Sequence, residues 1–197
     1  MSLSLLLRVK GAFRSRESRK TVKLADLARG KTFTVAAEGK FGSTQPNGCH
    51  IVEVEVDPDT GTTDIVSYCA VDDCGVVINH AVVAGQLHGG VVQGVGQVFG
   101  EQVVYDPASG QMLTASFMDY VMPRAGIIRD IRSDEHPTVS KVSPIGVKGM
   151  GESGCTASLP AATNAVIDAL RPLGIDRLDM PLTPATVWHA IQSAKAH

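Results

Sequence analysis

The chain has 197 residues, of which 44% are hydrophobic and 19% charged, and its formal net charge is −2. This length and apolar content suffice for a buried core, whereas the small net charge predicts no broad basic face for a nucleic acid. Apolar runs fall short of the ~20 residues that a membrane span requires, so we expect a cytoplasmic protein with neither a nucleic-acid nor a membrane partner.

The N-terminal segment carries the densest run of positive charge, between Arg8 and Lys23, and shows weak apolar periodicity. Such a run is typical of a solvated or poorly ordered segment, with a binding patch as the alternative. We therefore predict one domain over residues 1–197, in which residues 1–21 are poorly ordered.

A β-hairpin is the clearest local signal. Residues 50–57 alternate apolar and polar side chains, which predicts a half-buried strand. Residues 58–61, Pro-Asp-Thr-Gly, have the chemistry of a turn. Residues 63–71 are rich in β-branched side chains and are predicted to form the return strand.

A glycine-rich helix is predicted over residues 81–98, with Asn79 as its N-cap. Apolar residues recur at helical spacing there, but five glycines interrupt them, Gly85, Gly89, Gly90, Gly94 and Gly96. Each glycine costs up to about 1 kcal/mol relative to alanine in a helix. So many glycines indicate a close approach of backbone or ligand.

The remaining elements are predicted from weaker patterns. Pro160 is expected in the first turn of a helix over residues 159–170 that Ser158 caps, since proline is tolerated there and costly in a helix interior. Thr183 is expected to cap a last helix. The other predictions are a strand over 102–105, a turn over 106–110, a strand over 127–132, a long loop over 136–158 and the last helix over 184–194.

The cysteines do not indicate a metal site. The four cysteines include no C-x-x-C pair, and Cys69 and Cys74 have a spacing that suits no common zinc motif. Cys49 and His50 are adjacent on a predicted strand and so point to opposite faces. We expect reduced, mostly buried thiols and no metal-ligating protein side chains.

Residues 149–154, Gly-Met-Gly-Glu-Ser-Gly, fit a G-x-G-x-x-G pattern. A dinucleotide-binding fingerprint requires a buried strand before the first glycine and a helix directly after it. Pro144 argues against that strand, and Pro160 argues against that helix. Glu152 is then the candidate functional residue, flanked by small residues that permit a close ligand, although a surface glutamate is the alternative. Lys148 would favour ionised Glu152 if the two approached.

Several ordered motifs resemble the large, molybdopterin-binding subunit of the xanthine oxidase and aldehyde oxidoreductase family of molybdenum hydroxylases. The resemblance runs from about residue 22 to the C-terminus. Its motifs are GCHIVEVEVDPDTG at 48–61, VDDCGVVIN at 71–79, GQLHGGVVQGVG at 85–96, SFMDY at 116–120, GVKGMGESG at 146–154, PAATNAVIDA at 160–169 and DMPLTPATVW at 179–188.

The resemblance implies roles for four residues. Glu152 would be the catalytic general base beside the molybdenum, since a carboxylate with an ordinary pKa of about 4.3 is ionised at neutral pH. Gln86 would contact the pterin through its amide, which offers both donors and an acceptor. Lys148 and Gly151 are assigned to the same cofactor-binding segment.

The resemblance also implies an α+β fold, with a mixed sheet built on the hairpin and packed helices, as the C-terminal portion of a molybdenum-cofactor-binding domain. The chain would be a fragment of an oxidoreductase that hydroxylates an aldehyde or N-heteroaromatic substrate. It would share the molybdenum cofactor with the remainder of the subunit and assemble with iron–sulfur and FAD subunits, and we expect it to be inactive alone. The alternative is a non-catalytic remnant or assembly module, of which a homo-oligomer is one form.

Overall fold

A computed structural model describes residues 6–32, 34, 36, 38–39 and 42–196. The chain divides into two compact units, Met1–Lys40 and Phe41–His197. The sequence indicated one domain, and the difference arises because the first unit pairs its backbone within a small sheet of its own.

The first unit contains three short antiparallel strands in the order β1-β2-β3, followed by one helix. Gly11, with φ of +68°, makes the turn between the first two strands. Strands therefore replace the poorly ordered segment predicted within residues 6–21, whereas residues 1–5 lie outside the described residues. The elements are β1 Leu6–Val9, β2 Ala12–Ser15, β3 Thr21–Lys23 and α1 Leu24–Ala28.

The second unit is built on the predicted hairpin. Strands β4, Asn47–Val56, and β5, Thr63–Asp73, pair antiparallel with a register shift between Glu53 and Val54. A third strand, β6, Arg132–Glu135, adds to β5 in parallel and makes the sheet mixed. The hairpin is confirmed, whereas the strand predicted over 127–132 is shifted towards the C-terminus and contributes only the isolated bridge of Ile128 with Ile65 before β6.

Three helices complete the second unit. Helix α2, His80–Phe99, begins as predicted after Asn79, whose Oδ1 accepts a hydrogen bond from the Val82 N–H at 3.2 Å. The last helix, α4, Pro184–Lys195, is likewise capped by Thr183, whose Oγ1 accepts from the Thr186 N–H at 3.2 Å. Between them lies α3, Ser153–Leu170, followed by a 3-10 turn at Arg171–Leu173.

The start of α3 corrects the sequence prediction. The helix begins at Ser153, six residues before the predicted start, and Pro160 lies in its interior. Proline costs about 3 kcal/mol there, and the first turn of the helix packs closely against the α2 backbone at Gly154. The Ser158 hydroxyl donates to the Cys155 carbonyl at 3.2 Å within the helix, and is not an N-cap.

The core of the second unit lies between the sheet and the helices. Its fully buried side chains come from every layer, and include Tyr68, Val91, Val95, Val98, Ala162, Val166, Leu182, Val187 and Ile191. This arrangement of a mixed sheet and packed helices confirms the predicted α+β class. The residues predicted as a strand over 102–105 instead make one isolated bridge, Tyr105 with Met112. None of the helices in the described ranges is long and apolar enough to cross a membrane.

Candidate active site

Helices α2 and α3 meet backbone to backbone along a seam of glycines, Gly90, Gly94 and Gly154, which we call the packed seam. A Cβ added to Gly154 would lie 2.5 Å from the Leu87 carbonyl oxygen, and one added to Gly90 would lie 2.9 Å from the Cys155 nitrogen. A Cβ added to Gly94 would collide with the Ser158 hydroxyl. The packed seam explains part of the glycine content of α2 and fixes the N-terminal turns of α3 on it.

A second group of glycines is not explained by packing. Gly85, Gly89 and Gly149 are exposed, and a Cβ added to any of them would meet no described atom within 4 Å. Gly85 and Gly89 are four residues apart on α2 and therefore share one face of the helix. We call these three residues, together with Gln86 and Gly151, the open strip.

The open strip brings together two residues that the sequence assigned to the site. The Gln86 Nε2 atom lies 3.8 Å from the position that a Cβ on Gly151 would occupy, and both residues are exposed. This closeness depends on the packed seam, which holds the start of α3 against α2 one turn away. The structure thus places an amide with two donors and an acceptor beside bare backbone.

Glu152 follows Gly151 directly and occupies the N-cap position of α3. Its backbone carbonyl accepts the Thr156 N–H at 2.9 Å, but its side chain makes no capping hydrogen bond. The residue is exposed. Its carboxylate is therefore accessible beside the open strip.

Ser153 is a residue that the sequence analysis missed. Its Oγ atom is buried and has no hydrogen-bond partner among the described residues. A buried hydroxyl without a partner carries a desolvation cost of about 1–3 kcal/mol. Its place immediately after Glu152 was the signal available in the sequence, as the serine of the G-E-S triplet.

Lys148 pairs with a carboxylate other than Glu152. Its Nζ lies 2.6 Å from Asp73 Oδ2 and 2.7 Å from Thr138 Oγ1, in place of an approach to Glu152. The side chains of Lys148 and Asp73 are only 10% and 6% exposed. Burial opposes ionisation of Asp73, but hydrogen bonds from Lys148, Thr138 and two backbone N–H groups hold the pKa of this carboxyl well below its usual range.

A separate buried network crosses the hairpin. His50 Nδ1 lies 2.8 Å from the Tyr68 hydroxyl, and Nε2 lies 3.0 Å from Asp72 Oδ2. Because the Asp72 carboxylate only accepts, the hydrogen bond at Nε2 runs from His50 to Asp72. Burial, reinforced by the charge of Asp72, raises the pKa of Tyr68 well above its usual value. The network stiffens the sheet that supports α3.

A cleft of about 680 Å³ lies beside the open strip and not over it. It runs between the first turns of α2, strand β6 and Met150, and its polar side chains include Asp72, His80 and Glu135. Gln86, Gly151 and Glu152 do not line it. Among the described residues, no group of three or more His, Cys, Asp or Glu side chains is placed to hold a metal ion.

Comparison with known proteins shows which family and which proteins the chain is similar to. The family model described as a molybdopterin cofactor-binding domain matches residues 6–129. The chain is similar to the nicotine 6-hydroxylase large subunit of Paenarthrobacter nicotinovorans, with 46% identity over 146 residues, 73% of this chain and 18% of that subunit. It is also similar to the carbon monoxide dehydrogenase large chain of Hydrogenophaga pseudoflava, with 38% identity over 149 residues, 76% of this chain and 18% of that chain.

A solved structure supports the same relationship. The reconstituted CO dehydrogenase from Oligotropha carboxidovorans aligns with 98% of this chain and 26% of its own, at a TM-score of 0.79 and 28% sequence identity. The chain spans about a fifth of the length of the curated relatives it matches. The chain therefore corresponds to a part of a much larger polypeptide in those proteins.

Proposed function

The chain belongs to the molybdopterin cofactor-binding domain family, and we propose that it forms one wall of the active site of a molybdenum-dependent hydroxylase. One observation carries the proposal, which is that Gln86 Nε2 lies 3.8 Å from the position that a Cβ on Gly151 would occupy, while the exposed Glu152 follows Gly151 directly. Gln86 on α2 and Gly151 just before α3 converge there from 65 positions apart, and packing within the described chain does not require the glycines Gly85, Gly89 and Gly149 of the open strip.

The residues present fit a pterin cofactor. Gly85, Gly89 and Gly149 leave open space above the backbone, so a flat ring can approach closely without meeting a side chain. The amide of Gln86 can donate to and accept from the mixed edge of a pterin. The buried, unpaired Ser153 hydroxyl marks the same end of α3 as incompletely satisfied by the chain itself.

Glu152 is proposed as the general base. The molybdenum cofactor, when bound, supplies the redox chemistry of the hydroxylation. Glu152 accepts a proton on its carboxylate. Its exposed position and unused side-chain acceptors leave that carboxylate available for the transfer.

The remaining assignments are also proposals. Gln86 and Gly151 bind the cofactor. The remainder of the molybdenum subunit supplies the other walls of the site, because a surface that is open on one side cannot exclude water. Iron–sulfur and FAD subunits carry the electrons away. The substrate is an aldehyde or an N-heteroaromatic compound, a class that includes the nicotine named for one relative.

The test uses the chain assembled with the remainder of its subunit. Glu152→Gln is nearly isosteric and removes the base, so turnover falls by roughly 10²–10⁴-fold. Molybdenum content, measured by elemental analysis, stays unchanged because the glycines and Gln86 remain. Glu55→Gln, an exposed glutamate on β4, is the matched control and keeps full turnover.

Two results contradict the proposal. Turnover of Glu152→Gln within a few fold of the unaltered complex excludes Glu152 as the base. If the unaltered complex and both variants lack molybdenum, the chain does not form a wall of a cofactor site. That result favours the assembly module.

A further inference from the structure

The loop that leads to Glu152 is attached to the segment after β5 by its backbone. The Lys148 N–H donates to the Cys74 carbonyl at 2.7 Å, and the Val76 N–H donates to the Gly146 carbonyl at 3.0 Å. Gly75 and Val147 form an isolated antiparallel bridge between these two contacts. Residues 146–148 thus run as a short added strand beside residues 74–76.

Asp73 ties this short strand to two other segments. Its Oδ1 accepts the N–H groups of Gly75 at 2.8 Å and Thr138 at 3.0 Å, and its Oδ2 accepts from Lys148 Nζ at 2.6 Å. The Thr138 hydroxyl also donates to Oδ2. One buried carboxylate therefore joins the end of β5, the loop at Thr138 and the loop of Lys148.

The attachment matters because the next residues, apart from Met150 whose side chain is buried in the core, have little rigidity of their own. Gly149 and Gly151 flank Met150, and glycine has more backbone freedom than any other residue. Lys148 holds the N-terminal end of residues 149–152, while the packed seam holds α3 from Ser153 onward. Glu152 lies between the two fixed ends.

We propose that the Lys148–Asp73 pair, completed by Thr138, is a positioning device that sets residues 149–152 against Gln86. The inference rests on the proposed function for its purpose, and on the contacts above for its geometry. Lys148 then acts through the backbone, not through contact with the cofactor. A buried ion pair suits this task, because it contributes little net stability but strongly penalises any arrangement that separates its charges.

The test is amide hydrogen exchange on the full 197-residue chain, which requires no cofactor. In Lys148→Met, exchange in peptides covering residues 146–152 accelerates at least about tenfold, because the buried Asp73 charge loses its partner. Peptides from the middle of α2 and from α4 keep their protection. Lys141→Met, an exposed lysine of the same loop, is the matched control and changes nothing.

A second variant distinguishes the local effect of the Lys148–Asp73 pair from a general loss of stability. The double variant Asp73→Asn, Lys148→Met removes both charges. Its exchange at residues 146–152 is therefore slower than the sum of the two single-variant effects predicts. Additive single effects overturn the proposal, as do unchanged exchange at 146–152 and uniform acceleration throughout the chain. If Lys148→Met does not fold, Thr138→Val removes only the hydroxyl contacts and is judged by the same local criterion.

The assembled enzyme separates this inference from the proposed function. Lys148→Met lowers kcat at least about tenfold while KM and molybdenum content stay within a few fold, since misplacement of a catalytic group by about 1 Å costs that much or more. Local acceleration of exchange with unchanged turnover in Glu152→Gln retains the attachment and refutes the base. Unchanged exchange in Lys148→Met with lost turnover in Glu152→Gln does the reverse.

Discussion

The packed seam and the open strip both use glycines of α2 and glycines at or just before the start of α3, but for opposite physical reasons. In the packed seam, the missing side chains of Gly90, Gly94 and Gly154 let two helix backbones touch. In the open strip, the missing side chains of Gly85, Gly89 and Gly149 leave space that the described chain does not fill. Glycines in one helix can therefore either permit close backbone packing or leave open space, and the atoms around each glycine show which applies.

Gly154→Ala gives the largest expected effect and tests the packed seam. A Cβ there lies 2.5 Å from the Leu87 carbonyl oxygen, which is backbone and cannot rotate away. We expect a loss of about 3 kcal/mol or more in the free energy of unfolding, at the upper end of overpacking costs. Urea unfolding followed by circular dichroism measures it. A loss below about 0.5 kcal/mol would show that the helices separate easily, and the seam would not fix the site.

Lowering the pH tests the Asp73 contacts that support the open strip, and its expected effect on the unfolding free energy is the second largest. The folded state lowers the pKa of Asp73 below its unfolded value of about 3.9. Its contribution is complete above that value and is lost as the pH falls towards the folded pKa. Unfolding free energies at pH 7 and pH 3 should therefore differ more in the unaltered chain than in Asp73→Asn, by about 1–2 kcal/mol.

Equal pH dependence in the two proteins would show that the Asp73 carboxylate is not held ionised by its partners. The packed seam contains no titratable side chain, so Gly154→Ala should keep the pH dependence of the unaltered chain. That variant is the control for a change in stability without a change in proton binding.

Gly89→Ala gives the smallest effect, with the opposite sign from Gly154→Ala. The added methyl group meets no described atom within 4 Å, and alanine favours a helix by up to about 1 kcal/mol. Thermal unfolding should show a slightly more stable chain. In the assembled complex, the same variant should hold less molybdenum, because the methyl group occupies the space assigned to the cofactor. A more stable chain with full molybdenum content would mean that the open strip faces solvent.

Local chemistry explains which elements the sequence predicted. The hairpin of β4 and β5 follows from alternation and a turn within 25 residues, and the caps at Asn79 and Thr183 bond to amides only three residues away. The family resemblance placed Gln86, Gly151 and Glu152 in one site, and the structure brings Gln86 and Gly151 together. Their functional roles stay predictions until the assembled complex is tested.

The sequence by itself determined the class of fold, the hairpin, the helix caps at Asn79 and Thr183 and the family, because each is encoded by neighbouring residues or by ordered motifs. The tertiary structure alone decided where α3 begins, since its first residues, with Gly154, pack on the α2 backbone and Pro160 lies inside the helix. It also decided that Lys148 binds Asp73, 75 residues away, and not Glu152, four residues away. Partners distant in sequence compete with near ones only after the chain has folded, and no local pattern records the result.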